Sequence, residues 1–153
     1  MNINAVNIRL ATIEDAAVLT AMGRDFLQYS EYRNIQVTDE QLQAGIAQII
    51  AFECSFVAEM DGRVIGAILG VTGPLWFASH VRTAIELAWW VDPAYRITSA
   101  GIRLLKTFED HARYLDVQYI AMSDLVVQGD TPVARLLGRM GYSVTERMHT
   151  KEI

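Results

Sequence analysis

The chain has 153 residues, 52% of them hydrophobic and 20% charged, which is enough apolar mass to close a core and the wrong balance for disorder. Thirteen Lys and Arg against 18 Asp and Glu leave a net charge of -5, which argues against nucleic acid as a partner and favours cationic over acidic ligands. One cysteine, Cys54, excludes an intrachain disulfide framework; with no basic-then-apolar leader and no apolar run of membrane-spanning length, the reading is a single domain over 1–153 in the cytoplasm.

Residues 6–10 alternate as a short strand, and Thr12 offers an N-cap ahead of Glu14 and Asp15, whose charges suit the first turn of a helix running to about Tyr29. Residues 29–37 are polar and aromatic and read as a loop. Thr38, Asp39 and Glu40 then open a second helix with Leu42, Ile46, Ile49 and Ile50 on its apolar stripe. Residues 56–60 and 64–71 are apolar and β-branched, and Asp61-Gly62 between them forms a two-residue hairpin turn because both positions favour positive φ. Gly73-Pro74 ends that pattern, so residues 75–82 are expected as a loop leading into a strand over 84–91. Beyond Asp92-Pro93 the spacing predicts a helix over 99–115, a buried strand over 117–122, a helix capped by Asp130 and ending at Met140, and a last alternating strand over 142–150.

The chemistry-bearing stretch is 91–105, where a strand ends, a turn follows, and a helix opens on the small residues Ser99, Ala100 and Gly101. A helix start presents unpaired N–H groups and the positive end of the dipole, and small side chains let an anion approach them. The same residues also read as an ordinary helix entry capped by Thr98 or Ser99.

This stretch resembles the signature of the GNAT superfamily of N-acetyltransferases, in which Val-x-Pro-x-x-Arg and a glycine-rich turn open a helix with paired leucines. Val91, Pro93, Arg96, Gly101, Leu104 and Leu105 match. Ile8-Arg9-Leu10-Ala11 followed by Glu14-Asp15-Ala16 resembles that family's first strand and helix, and Asp61-Gly62 and Met140-Gly141-Tyr142 fit its order of elements. Ile97 and Ser99 stand where glycine is commonest. The resemblance implies an α/β fold with a central mixed, mostly antiparallel sheet of six or seven strands flanked by about four helices. It implies transfer of an acetyl group from acetyl-coenzyme A to a primary amine in a ternary complex. It implies further that the amides of Ile97, Thr98, Ser99, Ala100, Gly101 and Ile102, beside Arg96, receive the diphosphate, and that the main chain of Trp89 and Val91 holds the pantetheine arm and acyl carbonyl. Asp130 stands where the family often has an asparagine near that arm, and Tyr29, Glu31 and Tyr32 lie in the loop that borders the acceptor. An exposed strand edge near the C-terminus would permit a homodimer.

Acyl transfer needs a neutral amine, and a lysine-like amine of pKa about 10.4 resists losing its proton at pH 7 by roughly 4–5 kcal/mol. Glu86, the lone carboxylate of the apolar run 84–89, resembles the strand glutamate that many family members use as base. Alternation puts it on the face opposite Trp89 and Val91 unless a bulge intervenes, and a solvent-facing strand residue is the other reading. Where many members have a tyrosine that protonates the departing thiolate, this chain has Leu137. A non-catalytic domain that binds coenzyme A is therefore the second functional reading, and an interaction domain using Trp89 and Trp90 the third. His80, in the expected loop, is an alternative base. His111 and His149 have no second ligand at metal spacing, so no metal site is read, and Cys54 opens an apolar run and reads as core.

Overall fold

The computed structural model describes residues 5–124 and 131–151. The chain divides into two compact units, residues 1–123 and 124–153.

In the first unit, β1 (Asn7–Leu10), β2 (Phe56–Met60), β3 (Arg63–Leu75), β4 (Ala78–Val91) and β5 (Tyr119–Ala121) form one sheet in that spatial order. Neighbours from β1 to β4 run antiparallel, while β4 and β5 run parallel. That parallel pair requires a crossover, which α3 (Ala100–Tyr114) supplies. Leu104, Phe108 and Ala112 of α3 pack on one face of the sheet against Cys54, Phe56, Ile68 and Ala84. The other face is covered by α1 (Ala16–Gln28) and α2 (Asp39–Ile50), whose Leu19, Met22, Ile46 and Ile50 meet Val57, Ala67, Leu69 and Trp90.

Local chemistry explains the element starts. Thr38 and Gln41 make a capping box, the Thr38 Oγ1 accepting the Gln41 N–H and the Gln41 Oε1 accepting the Thr38 N–H. Before α1, the Asp15 carboxylate accepts the Thr12 N–H at 2.8 Å and is gripped by both Nη atoms of Arg9, which also reaches Glu59. Bonding to Arg9 holds the Asp15 carboxyl below the usual carboxylate range. The Asp61-Gly62 turn joins β2 to β3 as expected, with φ of 52° and 76°.

The stretch 75–82 departs from the expected loop: β3 runs through Leu75 and β4 starts at Ala78, so only Trp76 and Phe77 turn the hairpin. Pro74 does not break the ladder because it stands opposite Arg82, whose N–H and C=O turn instead to Gln118. β5 is also shorter than expected and exposes Tyr119 and Ala121, as suits a strand with one neighbour among the described residues.

In the second unit, α4 (Pro132–Arg139) is capped by Thr131, whose Oγ1 accepts the Ala134 N–H at 2.9 Å. Asp130, expected in that role, lies outside the described residues. Residues 142–150, expected as a last strand, form no strand, and Val144 and Met148 are 92% and 86% exposed. Alternation sorts faces, but a strand exists only where a neighbour takes its N–H and C=O groups. The sheet therefore has five strands among the described residues instead of six or seven.

Candidate functional site

The site begins with a slip in the β3–β4 ladder. Leu69 faces Ala88 but Gly70 faces Glu86, which leaves Leu87 as the extra residue of a bulge. The intervening residue turns Glu86 onto the α3 face that it shares with Trp89 and Val91. Gly70 makes the slip sterically feasible, since a Cβ there would lie 2.5 Å from the Phe108 ring. Its N–H is taken by the Ser55 Oγ at 3.2 Å.

Glu86 is only 5% exposed, and its Oε2 accepts the N–H of Ser123 at 3.0 Å and the hydroxyl of Ser123 at 2.8 Å. Burial pushes the carboxyl above its ordinary range, opposed by these two bonds. This is a buried carboxyl whose affinity for a proton is raised by its surroundings, not a solvent-facing strand residue.

The β4–β5 pairing covers only Thr83 to Ile85 against Tyr119 to Ala121. From Glu86 onward β4 is paired to β3 alone among the described residues. The Asp92 N–H donates to the Ile65 carbonyl, so by alternation Val91 and Trp89 turn their main-chain groups away from β3, onto the open edge. There the Val91 carbonyl already accepts the Arg96 Nε–H at 2.9 Å.

At the far end of that edge, the Arg96 guanidinium lies over the Trp90 ring, 4.5 Å from its centroid. Tyr29, at the end of α1, meets the same ring at 5.3 Å, and the Trp90 Nε1–H is buried with no partner. Tyr29 and Arg96, read respectively as acceptor and coenzyme residues, thus share one indole. Glu31 and Tyr32 are exposed in the loop beyond Tyr29.

The mouth of α3 is open. The Thr98 amide is taken by the Tyr95 carbonyl, and that of Ala100 by the Thr98 Oγ1. Among the described residues the amides of Ile97, Ser99, Gly101 and Ile102 have no partner. Ile97 takes no positive φ, and its side chain is 96% exposed. A Cβ at Gly101 would meet the Trp89 ring at 3.7 Å and Val91 at 3.8 Å, so the helix mouth lies next to the end of β4. Four amides, small side chains and a helix dipole suit a diphosphate.

Other residues are placed more plainly. His80 is on β4 and exposed, not in a loop. Cys54 is fully buried, and burial pushes its thiol up to about 11, which removes it as a nucleophile. Leu137 is buried. Among the described residues there is no group of three or more His, Cys, Asp or Glu that could hold a metal, and no helix is long and apolar enough to cross a membrane. Sequence reasoning missed Ser123 and the part played by Trp90. Ser123 carries no signal beyond being polar after a strand, whereas Trp90 sits in the motif-bearing strand and invited scrutiny.

The sequence model described as the acetyltransferase (GNAT) family matches residues 20–142. A search of curated proteins finds no relative by sequence. Among solved structures, a predicted acetyltransferase with acetyl-CoA from Clostridium acetobutylicum superposes with a TM-score of 0.74 at 15% identity, covering 97% of this chain and 96% of that one. A ribosomal-protein-alanine N-acetyltransferase from Brucella melitensis biovar Abortus 2308 gives 0.70 at 14%, over 97% and 100%. The aminoglycoside N-acetyltransferase AAC(6')-Iy in complex with CoA gives 0.73 at 14%, over 98% and 95%.

Proposed function

Because the chain belongs to the GNAT family of acetyltransferases, we propose that it moves an acetyl group from acetyl-coenzyme A directly to a primary amine. The observation that carries this reading is the mouth of α3, with four amides that have no partner among the described residues, beside a stretch of β4 paired there to β3 alone. Solved relatives of the same fold hold acetyl-CoA or CoA. Bound acetyl-coenzyme A supplies an activated thioester.

The chain's own residues do the rest. The amides of Ile97, Ser99, Gly101 and Ile102 bind the diphosphate, with the Arg96 side chain beside them. The outward main chain of Trp89 and Val91 lines up the pantetheine arm as a strand neighbour would. Glu86 receives the proton that the amine gives up, and burial raises its affinity for that proton. Tyr29, Glu31 and Tyr32 border the amine, and Glu31 and the net charge of -5 favour a cationic acceptor. Direct transfer is supported by the state of the one thiol, which is sealed in the core and cannot carry an acyl group. Acceptors named for the relatives range from a ribosomal protein to aminoglycosides, so the class proposed here is the amine itself.

Leu137 favours a second reading, a domain that binds the coenzyme without turnover, because a buried leucine cannot protonate a thiolate. One experiment orders the two. Acetyl-coenzyme A at 100 times its dissociation constant should stabilise the chain by about 2.7 kcal/mol in a thermal melt. No shift removes both readings. A shift without free-thiol release over a panel of amines, peptides and protein N-termini leaves the binding domain.

A further inference from the structure

We propose that Ser123 is the proton relay of the site, the exposed residue through whose hydroxyl the buried Glu86 carboxylate reaches the acceptor nitrogen. The inference rests on Glu86 being the base of the transfer reaction. Glu86 is 5% exposed and closed off from a bulky amine, whereas Ser123, bonded to it at 2.8 Å, is exposed. The pair forms the first side-chain link beyond Ile85 and Ala121, the last ladder pair of β4 and β5, so it stands where the two strands part. Both Ser123 donors converge on one oxygen, Oε2, which fixes the carboxylate relative to the hydroxyl.

A carboxylate kept at this depth for stability alone would be expected to carry a cationic partner. None acts on Glu86. The buried face of α3 offers one titratable group, Glu109, which is held by Arg113 at 3.5 Å; β3 contributes only Arg63 at its start, and β5 only Tyr119. None of them contributes to the ionisation of Glu86, which answers to burial and to Ser123.

The step balances as follows. The amine lone pair forms the C–N bond at the acyl carbon, and the C–S bond breaks with its electron pair on sulfur. The amine proton passes to the Ser123 Oγ while the Ser123 hydroxyl proton passes to the Glu86 Oε2. The thiolate takes a proton from water, and Glu86 later returns its own to solvent.

The test uses the full chain with carboxyl-labelled glutamate, the Glu86 signal being assigned by its loss in Glu86→Gln. Carbon NMR titration and the pH profile of thiol release from acetyl-coenzyme A with the amine panel are compared for the native chain, Ser123→Ala, Ser123→Cys and Ser123→Thr. In Ser123→Ala, the Glu86 titration and the acidic limb of kcat/KM should rise together, and kcat should fall about 10- to 100-fold with the acetyl-coenzyme A Kd unchanged. Ser123→Thr should restore both, with Ser123→Cys between them. A Ser123→Ala chain with native kcat, or an acidic limb that stays put while the Glu86 titration moves, overturns the relay alone. A native chain that binds acetyl-coenzyme A but acylates no amine in the panel overturns the transfer reading and the relay with it.

Discussion

Arg96 and Trp90 are stacked cation on ring, with the guanidinium carbon 4.5 Å from the indole centroid, while the Arg96 Nε–H binds the carbonyl of Val91 next door. The arrangement anchors Arg96 at the end of β4 and lets Tyr29 lean on the same indole. A cation–π contact of this kind contributes about 0.5–2 kcal/mol. Trp90→Leu should therefore weaken acetyl-coenzyme A binding by about 2- to 30-fold in calorimetry, and Trp90→Phe, which keeps an aromatic face, should weaken it less. Equal Kd values for all three proteins would disconnect Trp90 from the coenzyme.

Ser99 separates binding from folding. A glutamate at this helix entry should help the helix by about 0.3–1 kcal/mol, because a negative charge suits the N-terminus. The same charge about 6 Å from a diphosphate would oppose it by roughly 3 kcal/mol near the surface, or about 100-fold in Kd. Ser99→Glu is thus expected to melt no lower than the native chain and to lose its response to acetyl-coenzyme A. A full response in the variant would move the diphosphate elsewhere.

Glu86 carries a stability cost that changes with pH. Its carboxyl is raised in the folded chain, so the folded state holds this proton longer than the unfolded state does, and stability declines as pH climbs from the unfolded value of about 4.3 through the folded one. Glu86→Gln escapes that decline. Relative to the native protein, its melting temperature should improve as pH rises above about 4, while kcat falls by about 10²- to 10⁴-fold. A melting difference that is flat across this range would mean that the carboxyl is not perturbed.

Asp15 behaves with the opposite sign. Arg9 lowers its pKa in the folded chain, so the stabilisation is present above the unfolded value of about 3.9 and is lost as pH falls through the lower folded value. Asp15→Asn should cost about 1–3 kcal/mol at neutral pH, less than a fully buried pair because the Arg9 side chain is 35% exposed. Urea melts should show that penalty shrinking in acid. A penalty independent of pH would assign the cost to packing.

Gly70 tests the bulge. Alanine there brings a methyl to 2.5 Å from the Phe108 ring, beside the Cys54 carbonyl, with no flexible side-chain end to give way. An overpacked core position of this kind costs about 1–3 kcal/mol. Gly70→Ala should lose that much in denaturant melts and, by displacing β4 next to Glu86, lower kcat as well. Native stability would show that Phe108 has room to move.

The features readable in the sequence were those with a local cause. The Thr38 cap needs only Gln41 three residues on, the Asp61-Gly62 turn needs only its own two φ angles, and the apolar stripe of α3 needs only its spacing. The long β3–β4 hairpin was hidden because Pro74 is harmless only opposite an Arg82 that bonds to Gln118, a residue 36 positions further along. The face of Glu86 depended on a one-residue slip against Gly70, which alternation within β4 alone cannot fix. Ser123 was invisible for the same reason, since its significance comes entirely from a partner 37 residues away.

The depth of Cys54 has a practical side for every rate measured on this chain. Its thiol is sealed, with ionisation pushed up to about 11, so a chromogenic thiol reagent added to the native enzyme near neutral pH reads released coenzyme without protein background. Unfolding exposes one reactive sulfur per chain, so a parallel run without thioester counts denatured molecules and gives the loss of folded protein to subtract from each progress curve.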